Sequence, residues 1–192
     1  MISNLIGLDI GGTNFKAGIV KNNSIVKTST QEVHSKITEN EAFSALYKVI
    51  DDVITADVKG IGVGIPSVVD PVKGIFYDVV NIPVWKEVHL KEILEKRYKI
   101  PVFINNDANC FALGEKTFGK GKEYENMIGL SIGTGLGMGI IIHNKLYNGV
   151  LCGAGEIGMV NYKDSNIEQY ASSFFFTENY QKSAKEVSEL AQ

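Results

Sequence analysis

A chain of 192 residues that is 44% apolar, 21% charged and net −3 has room for one large or two small globular domains, and offers no basic face for nucleic acid. No run is long and apolar enough to span a bilayer, and the first strand pattern starts before a signal peptide could fit, which predicts a cytosolic chain with no membrane partner. Cys110 and Cys152 make no CxxC pair and read as core thiols.

Residues 5–20, LIGLDIGGTNFKAGIV, are an apolar run, an aspartate, a glycine turn and a second apolar run, the pattern of a β-hairpin with a polar tip. Without Cβ atoms at Gly11 and Gly12, a phosphate can approach the main-chain N–H groups of Gly11, Gly12 and Thr13. Asn22-Asn23 turns the chain into a third strand at residues 24–30. A helix begins at Asn40, with Ala42, Leu46, Ile50, Val53 and Ile54 at helical spacing. Residues 60–65, GIGVGI, are a buried strand stopped by Pro66. A looped excursion follows, with Asp70-Pro71 and Gly74 as turns and Asn81, Pro83 and Trp85 at its far end. Residues 89–98 read as a helix, 102–105 as a strand and 108–117 as a helix, so the first lobe, residues 1–117, runs βββαβαβα.

Gly119-Lys120-Gly121 leads into residues 118–192, where the opening motif recurs. LIGLDIG at Leu5 lies over MIGLSIG at Met127, and the unbroken alignment continues to Ile19 over Ile141 and Asn22 over Asn144. Two related lobes are implied, with Ser131 replacing the aspartate. Two phosphate-facing loops on facing lobes suit a nucleotide held in a cleft. The second lobe has too few residues to complete the set of the first, and the final helical pattern ends without a stop signal, so a truncated second lobe is expected.

Several side chains carry both an ordinary and a chemical reading. Asp9 either accepts turn amides or holds Mg²⁺ through its waters. Asp107, in Asn105-Asn106-Asp107-Ala108-Asn109 between a strand and a helix, is an N-cap, a general base, or both. Glu156, set among glycines in GAGEIG, is a turn glutamate or sits in a loop built for close approach. Glu168 suits the first turn of a helix on dipole grounds alone. His34, His89 and His143 have no acidic or cysteine partner at useful spacing, and no zinc ligand set is visible.

Taken together, DIGGTNFKAG, NNDANCFALGE, LSIGTGLGMGII and GAGEIG resemble the ROK family of sugar kinases and repressors, in the actin-like ATPase superfamily with its duplicated ribonuclease H-like α/β lobes. The match covers the N-terminal two-thirds of such a protein. The resemblance implies an ATP-dependent kinase of a hexose-type sugar, using ATP and Mg²⁺. Asp9, Gly11, Gly12 and Thr13, with Gly133, Thr134 and Gly135, would face the phosphates, and Asp9 would hold the metal. Asp107 would be the general base, and Asn81, Asn106, Glu156 and Glu168 would bind the sugar. A homodimer is implied for the full-length form. Where many members have a sugar-binding, zinc-ligating histidine and then cysteines, this chain has Met159 and VNYKDSN, so structural zinc is not expected. The competing readings are a sugar-responsive regulator, expected to carry a helix-turn-helix ahead of the hairpin for which Leu5 leaves no room, and a sugar-binding protein without turnover.

Overall fold

The structure is a computed structural model that describes residues 4–79 and 82–190. The chain divides into two compact units, residues 1–110 and 111–192.

Unit 1 is built on five strands. β1 (Asn4–Ile10), β2 (Asn14–Lys21) and β3 (Ser24–Glu32) form an antiparallel meander, and β4 (Val58–Ile65) lies parallel to β1. Between β3 and β4 runs α1 (Glu39–Asp51), whose Thr38 and Glu41 form a reciprocal capping box and whose Ala42, Leu46, Val49 and Ile50 are buried. The helix ends at Asp51, short of the apolar spacing that continues to Ile54. Val53 and Ile54 instead turn their N–H groups onto the Ile50 carbonyl at 3.1 and 2.8 Å. Side-chain period persists beyond the helix because Val53 still enters the core.

The excursion after Pro66 holds order that its sequence does not announce. β5 (Val68–Asp70), β6 (Ile75–Tyr77) and β7 (Glu87–Val88) form a separate small antiparallel sheet. Asp70 Oδ1 accepts the N–H groups of Val72 and Lys73 to close its first turn. Trp85, fully buried, fastens this sheet to the rest of the unit: its ring lies 5.6 Å from Phe15, 5.4 Å from Phe43 and 5.5 Å from Phe76. α2 (Leu90–Tyr98) then leads to β8 (Val102–Asn106), parallel to β4, and α3 (Asp107–Thr117) follows without a break. The main sheet therefore has the order β3-β2-β1-β4-β8.

Unit 2 repeats the opening meander with β9 (Met127–Ile132), β10 (Leu136–Ile142) and β11 (Lys145–Leu146). The pairing corrects the alignment. Ile10 faces Phe15 across the first tip, whereas Ile132 faces Leu136, so the second tip is one residue shorter. Structurally, Gly18 corresponds to Gly139, and the left-handed Asn22-Asn23 turn corresponds to His143-Asn144. The facing glycine pair is kept in both copies, Gly7 with Gly18 and Gly129 with Gly139. A 3-10 turn at Ile157–Met159, the hairpin of β12 (Asn161–Tyr162) and β13 (Ser165–Asn166), and three helices, α4 (Ile167–Ala171), α5 (Ser173–Tyr180) and α6 (Ala184–Leu190), complete the unit. Among the described residues no helix is long and apolar enough to cross a membrane.

Candidate active site

In unit 1 the parallel strands β1, β4 and β8 end together, and register places Asp9, Gly64 and Asn105 in one row across them. Such a carboxyl edge is where open α/β sheets collect ligand-facing groups. Asp107 begins α3 immediately beyond this row. A Cβ on Gly64 would lie 3.7 Å from Asp107 Cα and 3.5 Å from Cys110 Sγ, ordinary contact distances, so the start of α3 packs directly on β4. Burial at this packed edge pushes the Asp107 carboxyl above the usual aspartate range. The Ala108 N–H pulls it back down, and the nearby negative charge of Asp9 raises it again.

The capping role falls on the neighbouring residue. Asn106 Oδ1 accepts from the N–H groups of Ala108 at 2.9 Å and Asn109 at 3.4 Å, while Asp107 Oδ1 accepts from the adjacent Ala108 N–H at 2.9 Å. Asn106 thereby commits its oxygen to the helix and keeps its amide nitrogen, 3.4 Å from the Ser67 carbonyl, facing outward from that role. Asn105 Oδ1 joins the Asn106 N–H to the Asn109 side chain. Asn81 lies outside the described residues.

The first glycine turn uses one of its three candidate amides for itself. Gly11 N–H donates to the Asn14 carbonyl at 2.9 Å, closing the tip, whereas the N–H groups of Gly12 and Thr13 meet no acceptor among the described residues. The second turn repeats this economy: Gly133 N–H donates to the Gly135 carbonyl at 2.9 Å, and the amides of Thr134 and Gly135 meet no acceptor among the described residues. A Cβ on Gly133 would touch nothing within 4 Å, so the chain's own packing does not require a glycine there.

Two tight approaches hold the loop that carries Glu156 against β10 and Glu168. Gly155 adopts φ +102, and a Cβ there would sit 2.0 Å from the Met138 carbonyl oxygen. A Cβ on Gly158 would lie 2.7 Å from the Leu136 oxygen and 3.4 Å from Glu168 Cβ. The loop carrying Glu156 is thus pressed along β10. Glu168 Oε2 accepts the Leu136 N–H at 2.8 Å, a link across 32 residues that no sequence pattern signals. Ser173, at the start of α5, donates its N–H to the Gly133 carbonyl at 2.8 Å. Met159 is exposed at the end of the 3-10 turn. The β12–β13 hairpin that follows it is held by the edge-on Tyr162–Tyr170 pair, the Lys163 ammonium over both rings, and the Tyr170 hydroxyl on Asp164.

Two histidines do have acidic neighbours: His89 Nε2 lies 3.1 Å from Glu87, and His143 Nδ1 lies 3.0 Å from Glu125, both exposed. Glu87 is two residues before His89 in the sequence, whereas Glu125 reaches His143 across 18 residues, a pairing that spacing does not reveal. Among the described residues no group of three or more His, Cys, Asp or Glu could hold a metal ion. Asp9, exposed at the strand end, offers hard oxygen beside the open amides. That donor set fits Mg²⁺, which keeps several waters and binds through one or two carboxylates and substrate phosphates.

Residues 5–188 match the ROK family model. The chain belongs to the ROK family. Within it, the chain is 35% identical over 150 residues to a glucokinase of Thermotoga maritima, covering 76% of this chain and 46% of that protein. It is 34% identical over 176 residues to a xylose repressor of Caldicellulosiruptor bescii, covering 85% of this chain and 43% of the repressor. A ROK glucokinase of Streptomyces griseus, solved with glucose and AMPPNP, superposes with TM-score 0.77 at 32% identity over 92% of this chain and 59% of that one. The ROK chain thus has the actin-like ATPase fold and spans about half the length of the curated relatives it matches.

Proposed function

We propose that this ROK chain carries the phosphate-facing and sugar-facing elements of an ATP-dependent kinase of hexose-type sugars. The observation that carries the reading is the row Asp9–Gly64–Asn105 with Asp107 just beyond it, which puts two carboxylates and an opened glycine turn at one sheet edge. Phosphoryl transfer asks the protein mainly for positioning and charge neutralisation. The paired open amides of Gly12 and Thr13, and of Thr134 and Gly135, are donors for phosphate oxygens. Gly11 and Gly133 shape the two turns. Mg²⁺, when bound, supplies charge neutralisation at the phosphates, and Asp9 would hold it through water.

Asp107 takes the proton of the attacking sugar hydroxyl, and its raised pKa makes it a better proton acceptor than an ordinary aspartate. Asn106 contributes its amide nitrogen, and Glu156 and Glu168 accept from ring hydroxyls. ROK glucokinases among the relatives, one of them solved with glucose and AMPPNP, support this assignment. The regulator reading rests on the xylose repressor, which is as similar to this chain as the glucokinases are.

Sugar-dependent ADP release against glucose, mannose, N-acetylmannosamine and xylose separates the two readings. Turnover with at least one sugar, falling about 100-fold or more in Asp107→Asn, is the kinase outcome. A folded protein that binds one of these sugars and releases no ADP overturns the kinase reading.

A further inference from the structure

We propose that Glu168 is a coupling residue that ties sugar binding to the geometry of the second phosphate loop; this rests on the kinase reading above. Leu136 is where β10 leaves the Gly133-Thr134-Gly135 turn, so its N–H belongs to the last peptide unit of that turn. Glu168 Oε2 holds this N–H at 2.8 Å, a charge-assisted bond. The space for it is made by glycine on both sides. A Cβ on Gly135 would lie 2.5 Å from Oε2 and 3.3 Å from Cδ of Glu168, and a Cβ on Gly158 would lie 3.4 Å from Oε2.

The same short segment grips the turn twice more. Ser173 N–H reaches the Gly133 carbonyl at 2.8 Å, and Ser173 Oγ lies 3.4 Å from the Thr134 carbonyl. Ser172, between them, is buried and donates its N–H to the Glu168 carbonyl at 3.0 Å. Residues 168–173 are therefore tied to Gly133, Thr134 and Leu136 together.

A carboxylate has about four acceptor positions. Leu136 takes one, which leaves the others for sugar hydroxyls. A sugar that fixes the Glu168 carboxylate fixes the Leu136 amide with it, and so pre-sets the Thr134 and Gly135 donors for phosphate. By linkage the effect runs both ways: a change made in the phosphate loop is felt as a change in sugar affinity with no nucleotide present.

Gly135→Ala tests this, because the added methyl lands on the Glu168 carboxylate while the residue itself belongs to the phosphate loop. Sugar affinity is measured by calorimetry without nucleotide, using whichever of glucose, mannose, N-acetylmannosamine and xylose binds the unsubstituted protein. Gly135→Ala is expected to weaken it at least about fivefold. Glu168→Ala weakens it further, and Glu168→Gln, which keeps an acceptor for Leu136, lies between. If Glu168→Ala weakens sugar binding and a folded Gly135→Ala does not, the coupling is wrong and the sugar-binding role stands. If Glu168→Ala leaves the affinity unchanged, or no sugar binds, the role and the coupling fall together. Should Gly135→Ala not fold, amide exchange at Leu136 in the unsubstituted protein decides. Slowing on addition of sugar supports the link, and an unchanged rate overturns it.

Discussion

Asp107 sits under opposing demands at the scale of a single residue. Burial raises its pKa first, the Ala108 N–H lowers it, and the Asp9 charge raises it again, with a net upward shift. A carboxyl whose folded pKa lies above its unfolded value favours the folded state when protonated. Its stabilising contribution is present at low pH and is lost as pH rises through the raised value. At neutral pH the ionised side chain therefore opposes folding. Asp107→Asn should raise the melting temperature at pH 7, and its advantage should shrink as pH falls into the carboxylate range. Under the kinase proposal the same shift sets the activity profile: a proposed base must be deprotonated, so the acidic limb of kcat/KM should lie above the usual aspartate range. Thermal melts between pH 4 and 8 and a pH–rate profile check both halves. A substitution that stabilises while abolishing turnover is the pattern of a strained catalytic group, and an unchanged melting temperature across that range would remove the strain.

Single elements show what the sequence makes legible. The meanders could be read because apolar runs flank glycine or asparagine turns, and α1 because Ala42, Leu46 and Ile50 recur at helical spacing, although the expected start at Asn40 misses the Thr38–Glu41 capping box and the helix starts at Glu39. The β5–β7 sheet could not, since strands of two or three residues are too short to show alternation. Asn106 and Asp107 are both good capping residues, and only the fold shows which side chain turns back onto α3. The extra tip residue in the first hairpin was hidden because conservative apolar residues align equally well in either register; cross-strand pairing, not spacing, resolves it. The link from Glu168 to Leu136 had no local signal at all. A separate strain is visible at the end of α2, where exposed Lys99 adopts φ 58 and ψ 29 to bring its N–H to the Glu95 carbonyl. A side chain in this left-handed conformation costs about 1–2 kcal/mol, partly offset by the greater unfolded-state freedom of glycine. Lys99→Gly should therefore stabilise the protein by about 0.5–1 kcal/mol, read as a higher urea midpoint with an unchanged slope.

At the scale of the molecule, the duplicated strands differ in what covers them. Ile6, Leu8 and Ile10 on β1 are 1%, 3% and 0% exposed, while their counterparts Ile128, Leu130 and Ile132 on β9 are 60%, 48% and 65% exposed. The sequences are nearly the same, so composition does not explain the difference. β1 has β2 on one edge and parallel β4 on the other, whereas β9 pairs only with β10 among the described residues. An unpaired strand edge beside an alternating apolar face is a template for association. Burying an aliphatic side chain of this size is worth up to about 1.5–3 kcal/mol, so covering this face favours association. The 192-residue chain alone should therefore bind a hydrophobic dye and sediment as a concentration-dependent mixture. Leu130→Lys with Ile132→Lys should suppress both effects by placing two charges on that face. Trp85, the only tryptophan, is buried in unit 1, so its emission should stay unchanged and report that the remaining core is intact. If the double substitution leaves dye binding and sedimentation as they were, the exposed face of β9 is not what associates, and the self-recognition lies elsewhere on the chain.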